Sequence, residues 1–264
     1  MSWAYNEIDI YLTDTDSSPG ETSIGNSWKA VSEYGIVRSR VALTPSTYDS
    51  ANKITIAGRD GRPYTTDRSR GNAKIDIEVL CVDSWVFAGA NTTVRQRAES
   101  LMARINKAKR IAYKQPGKSA DGYFLIYNTT LSFTDADEKA IVIKASFEVH
   151  PLEWIFAGNA ANIIEPGATE TITIPEYCAI SMPIYDLMGS GTVNVNGNVL
   201  ESTSSGSIRL DTWRFTAVYR PSGLNANLSL SGDYEGLWLN PGENTITNGL
   251  TNAIRVYTRM GITR

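Results

Sequence analysis

Three stretches of the chain alternate apolar and polar residues with a period of two. In EIDIYL, Ile8, Ile10 and Leu12 fall on one side. In KIDIEVLC, Ile75, Ile77, Val79 and Cys81 face one way, and Lys74, Asp76 and Glu78 the other. In AIVIKASFEV, Ile141, Ile143, Ala145, Phe147 and Val149 oppose Lys144, Ser146 and Glu148. Such a period with one apolar face predicts half-buried antiparallel sheet. One stretch breaks the pattern. TVRQRAESLMARINKAKR brings Val94, Ala98, Leu101, Met102, Ile105 and Ala108 onto a helical stripe, predicting a helix over 93–110. Thr93 with Gln96 three residues on is a capping-box signature. The cations Lys107, Lys109 and Arg110 suit the negative end of the helix dipole.

The second half reads as short strands. TVNVNGNVLES holds a strand, the Asn196-Gly197 turn and a returning strand, a strong hairpin signal. SIRLD, WRFTAVY, NLSLSG, GLWLNPGENTIT and AIRVYTRM follow, with turn residues every ~8–12 positions, the spacing of a β-sandwich. Between the halves, Phe156–Glu170 is rich in Gly, Ala, Asn and Pro and reads as a linker. The expected fold class is mainly β. A β-sandwich with one amphipathic helix spans 1–157, a linker 158–168, and a second β-sandwich 169–264.

Composition sharpens this division. Residues 1–157 carry 19 of the 25 basic and 19 of the 28 acidic side chains, so they balance. Residues 158–264 carry 6 and 9, and no lysine. The net charge of −3 gives no reason to expect nucleic acid as a partner. The start MSWAYNEIDI has neither the basic residues nor the apolar core of a secretory signal. No apolar run approaches the ~18 residues of a membrane helix. Folding in a cytoplasm, without membrane insertion, is the expectation.

Candidate chemistry is sparse. Two cysteines, Cys81 and Cys178, and one histidine, His150, are too few for a Cys/His zinc site, which takes about four ligands. Two buried free thiols are expected instead. His150 stands at a strand end before Pro151, and no Gly-x-Ser-x-Gly elbow accompanies it. Asp76 with Glu78, and Asp233 with Glu235, lie two apart and read as solvated charges rather than a glycosidase pair. GRDGRPY at Gly58–Tyr64 lacks the Gly-Lys-Ser/Thr ending of a phosphate loop. No catalytic, cofactor or metal residues are therefore assigned, and no enzyme activity is expected.

Two binding readings remain. Surface aromatics on a sandwich can stack on sugar rings. Trp213, Tyr219, Tyr234 and Trp238 are the candidates for glycan contact, with Tyr257 beside them, and a carbohydrate-binding module attaching to a host surface is the alternative function. Clustered charge is the other signal. Val94–Lys118 holds eight basic residues against Glu99 alone, and Arg59–Lys74 holds five against two acids. Such charge in a balanced domain suits contacts between identical subunits. Arg59, Arg62, Arg68 and Arg70 are the candidates for that interface.

The order of landmarks carries more than each does alone. ITIAGRDGRPY precedes the strand AKIDIEVLC, the amphipathic helix, GYFLIYNTTLSF and IVIKASFEVHPLEW; VNVNG, SIRLD and LSGDYEGLWLNPGENTI follow. Over nearly the whole chain this resembles the distal tail proteins (Dit) of long-tailed phages and prophages. The nearest pieces are Gly58–Gly61, Phe147–Pro151 and Leu239–Ile246. Where the family tends to place a proline before the corner, this chain has Glu235-Gly236. The resemblance implies a hexameric ring built by the N-terminal domain and a galectin-like, carbohydrate-module-like C-terminal domain. It implies a virion structural protein assembled in the host cytoplasm. Its partners would be the tail tube protein, a tail-tip or baseplate hub protein and a receptor-binding protein, with DNA only passing through the channel.

Overall fold

Alternation translates directly into strands in the computed structural model, which describes residues 9–16, 18–37, 42–45, 72–83, 92–114, 121–137 and 139–263. The chain divides into two units: Met1–Asp16, Asn26–Glu153 and Arg264 in the first, Ser17–Gly25 and Trp154–Thr263 in the second. The fold is mainly β, as expected.

The first unit comprises β1 (Asp9–Thr13), β2 (Lys29–Ala30), β3 (Ile36–Val37), β4 (Ala42–Thr44), β5 (Ala73–Val82), α1 (Val94–Lys107), β6 (Arg110–Lys114), β7 (Gly122–Asp137) and β8 (Ala140–Val149). All its pairings are antiparallel. One sheet runs β2-β1-β6 to the start of β7; the other runs from β3 and β4 through β5 and β8 to the rest of β7. Ile75, Ile77, Val79 and Cys81 of β5 register with Phe147, Ala145, Ile143 and Ile141 of β8. All eight are buried, and they share a core with Ala98, Leu101 and Ile105 of α1.

The capping box of α1 is formed: Gln96 N–H donates to Thr93 Oγ1 at 3.2 Å, and Thr93 N–H to Gln96 Oε1 at 2.9 Å. The helix stops at Lys107, short of the expected 110. Ala108 turns to extended backbone, Lys109 N–H donates to the Thr13 carbonyl, and Arg110 opens β6. Arg110 is thus no helix-end cation. It is buried, with its guanidinium 4.8 Å from the Trp28 ring centroid and 5.0 Å from that of Tyr123. Its Nε donates to the Thr15 carbonyl at 2.9 Å.

A strand at the boundary, β9 (Leu152–Ile155), leads into β10 (Ala161–Ile164), β11 (Thr169–Ile174), β12 (Ile180–Ser181), β13 (Ile184–Met188), β14 (Gly191–Val195) and β15 (Asn198–Ser202). Then come β16 (Ser207–Asp211), β17 (Thr216–Tyr219), β18 (Leu230–Ser231), β19 (Gly242–Leu250), β20 (Ile254–Tyr257) and β21 (Met260–Thr263). Two five-stranded sheets form, β10-β20-β13-β16-β17 and β11-β19-β14-β15-β18. Tyr185, Leu187, Ile208, Leu210 and Val256 of the first share one core with Val193, Val195, Leu200 and Ile246 of the second.

The stretch 158–168, read from composition as a linker, is built into this unit. Phe156–Asn159 is a 3-10 turn, and β10 pairs with β20 along its whole length. Gly158 is needed there because a Cβ would lie 2.7 Å from the Met260 backbone nitrogen. The Asn196-Gly197 turn has φ values of 52° and 93°, the left-handed pair of a tight hairpin.

Candidate functional site

The outer face of the sheet β10-β20-β13-β16-β17 carries a cluster of paired charged side chains. Its strands alternate, so the residues flanking each buried apolar position face outward. Register sets Ile163, Arg255, Asp186, Arg209 and Val218 in one row across the five strands. The next row holds Tyr257, Ile184 and Asp211.

Asp186 sits at the centre with its side chain only 4% exposed. Arg209 grips it through two bonds, Nε to Oδ1 and Nη2 to Oδ2, each 2.7 Å. Arg220 adds Nη1 to Oδ2 at 3.0 Å. A planar guanidinium fork matches a carboxylate edge, which fixes orientation as well as charge. The Asp186 hydrogen bonds hold the Arg209 guanidinium above its ordinary range despite partial burial.

A second pair closes the end of the face. Arg259 meets Asp211 through Nη1 to Oδ1 at 2.8 Å and Nη2 to Oδ2 at 2.9 Å. Oδ1 of Asp211 also accepts the backbone N–H groups of Trp213 and Arg214, both at 3.1 Å, capping the β16–β17 hairpin. Burial alone would push the Asp211 carboxyl up. The Arg259 hydrogen bonds and charge, with the Arg214 N–H, outweigh burial and hold it below the usual carboxylate range. Arg259 itself has φ 41°, and Phe215 in the β16–β17 hairpin has φ 52°, both in the left-handed region. Ser18, Pro19, Ile184, Arg209 and Trp213 line a cleft of about 210 Å3 beside it. That is smaller than the ~300–1,000 Å3 of ordinary ligand pockets.

Each of the four aromatic residues considered for glycan contact has packing or hydrogen-bond partners within the second unit. Tyr219 and Tyr234 pack against the sandwich core, and the Tyr219 hydroxyl is hydrogen-bonded to Ser229 Oγ. The Trp213 ring is engaged by Trp154, at a centroid distance of 5.3 Å, and by the Arg259 guanidinium at 5.6 Å. Trp238 tilts against Phe215 at 6.3 Å and donates its Nε1–H to the Thr212 carbonyl at 3.4 Å. Arg59, Arg62, Arg68 and Arg70 lie outside the described residues. His150 is half-buried, its Nδ1 accepting the Leu152 N–H at 3.1 Å, and burial lowers its pKa. Both cysteines are free and buried, and burial pushes the Cys81 thiol up to about 11.

Neither Asp186 nor Asp211 stood among the site residues predicted from sequence. One signal was present: YDL and IRL each place a charged residue between two core residues, and the C-terminal basic residues are all arginine.

In the first unit a different surface stands out. From Thr129 onward, β7 pairs with β8 on one side and with no described strand on the other. Thr129, Leu131 and Phe133 register with Phe147, Ala145 and Ile143, so they share the core face of the hairpin. Phe147 and Ile143 are fully buried, yet Phe133 is 61% exposed. The core face continues past its cover.

The sequence matches no family model and no curated protein. Among solved structures, the chain is similar to one in the structure of the phage P2 baseplate in its activated conformation with Ca. Identity is 11%, with 97% of this chain and 98% of that chain covered and a TM-score of 0.45. A chain in the corresponding structure with Sr is similar over the same shares, at 11% identity and a TM-score of 0.48.

Proposed function

We propose that the protein is a structural component of a phage tail, a distal-tail-type adaptor. Six copies form a ring that joins the tail tube to a tail-tip or baseplate hub and leaves a channel for DNA. The order of landmarks in the sequence supports the family. The observation that carries self-assembly is the distal half of the β7–β8 hairpin, with an open strand edge among the described residues and a core-face phenylalanine in solvent. An edge of this kind pairs readily with another chain, and a bare apolar side chain on a sheet favours being covered. In the ring, α1 stays with its own subunit as a brace, since its buried stripe is already used by β5 and β8. Arg59, Arg62, Arg68 and Arg70 are assigned to the contact with the neighbouring subunit.

Mass measurement in solution with electron microscopy of the purified chain tests this. Six-membered rings, alone or with tail tube protein, are expected, and Phe133→Glu should shift them toward single subunits. A chain that stays monomeric at every concentration and beside its tail neighbours would remove the proposal.

A further inference from the structure

The second unit contains five basic residues, Arg209, Arg214, Arg220, Arg255 and Arg259, and no lysine. All five gather on the outer face of the sheet β10-β20-β13-β16-β17 and its hairpin end. Arg209 and Arg255 flank Asp186 in register, and Arg220 bonds it. Arg259 bonds Asp211, and Arg214 lines the same cleft. Ten carboxylates belong to this unit, and the ion pairs of these arginines among the described residues run to Asp186 and Asp211. The face therefore keeps an excess of positive charge within an otherwise acidic unit.

The two carboxylates act as holders. Asp186 fixes Arg209 through Nε and Nη2, leaving its Nη1 without a bond, and fixes Arg220 through Nη1 alone. Donors held this way lose little freedom when an incoming oxyanion meets them. Arg214 and Arg255 are exposed and complete the array. Arginine, not lysine, is the side chain suited to forked recognition of carboxylates.

Ligand class follows from what surrounds the charges. A sugar site needs an open aromatic face, and the Trp213 ring is already engaged, while Tyr257 is buried. Exposed Ile163 and Met188 stand on the same outer face as the arginines. Arginine with methionine, aliphatic and aromatic residues and no lysine is the composition of a protein interface.

We propose that this arginine face is the docking surface for an acidic segment of a partner protein, whose Asp and Glu side chains meet Arg214, Arg255 and the free edges of Arg209 and Arg220. The proposal stands apart from ring formation, and its test needs no assembly. A labelled deca-glutamate peptide is titrated into the full chain at low ionic strength and followed by fluorescence polarisation. Saturable binding is expected, weakening about tenfold or more as salt rises toward physiological strength and charges are screened. The double variant Arg214→Glu with Arg255→Glu should weaken binding at least tenfold with an unchanged thermal transition; if it does not fold, Arg255→Gln alone should still weaken binding measurably. Three outcomes overturn the proposal: no saturable binding, equal binding by the variants, or binding of polygalacturonate in place of the peptide, which would assign the face to acidic saccharides.

Discussion

The distal β7–β8 hairpin and the arginine face offer themselves to partners by opposite physical means. The hairpin leaves its needs unmet: a strand edge without a described neighbour, and Phe133 in water opposite the fully buried Ile143. The arginine face has met its needs internally. Asp186 and Asp211 are saturated by guanidinium forks, and only the outward edges of those forks remain. An unmet surface pairs with whatever supplies backbone and apolar area, and so suits permanent assembly. A pre-satisfied polar surface selects by charge and geometry and responds to salt, which suits choice among partners.

Substitutions can separate the two. Phe147→Ala should cost the first unit about 3–5 kcal/mol in chemical denaturation, because it empties a fully buried site. Phe133→Ala, on the same face of the same hairpin, should change monomer stability by less than about 0.5 kcal/mol while reducing association. Equal costs for both would mean that Phe133 is covered in the monomer. Asp186→Ala strands Arg209 and Arg220 and should destabilise the second unit by about 2–4 kcal/mol, less than a fully desolvated pair would, since the Arg220 side chain is 47% exposed. Its tryptophan fluorescence transition reports the loss, and an unshifted midpoint would deny the network its structural role.

Acid should act on the second unit through Asp211. Its folded pKa is depressed, so its contribution is complete above the unfolded value of about 3.9 and disappears as pH falls through the folded value. Each unit of depression is worth about 1.4 kcal/mol. Urea midpoints measured between about pH 5 and pH 2 should fall in the wild type and flatten in Asp211→Asn, which retains the hairpin-capping oxygen. His150 acts with the same sign at higher pH: burial lowers its pKa, so protonation opposes folding as pH drops below about 6.5.

Local order was legible wherever the signal was local. The alternation in β5 and β8, the Thr93–Gln96 box and the Asn196-Gly197 hairpin all formed as read. A turn also forms at Pro241-Gly242: Gly242 has φ 93°, and Asn244 accepts the Asn240 N–H at 2.9 Å and donates to its carbonyl at 2.7 Å. The end of α1 was missed because Ala108 is a good helix former, and tertiary pairing of Lys109 and Arg110 with β1 outcompeted propensity. The supposed linker was missed because small residues serve close packing as well as loops, as Gly158 does against Met260. The arginine face was not readable because Asp186, Arg209 and Arg255 meet through the register of β13, β16 and β20, and Arg220 reaches them from the end of β17. Phe133 has the residue type of a core position; only the extent of its cover makes it a surface.

Because the second unit carries no amine side chain, lysine-directed labels and crosslinkers would report on the first unit alone. Dicarbonyl reagents that modify guanidinium groups would read the other half of the molecule as a graded series. Arg214 and Arg255 stand open, Arg209 and Arg220 are tethered by one carboxylate, and Arg259, at 8% side-chain exposure, is clamped to Asp211. The modification rates should fall in that order, giving a chemical ruler for the face without any substitution.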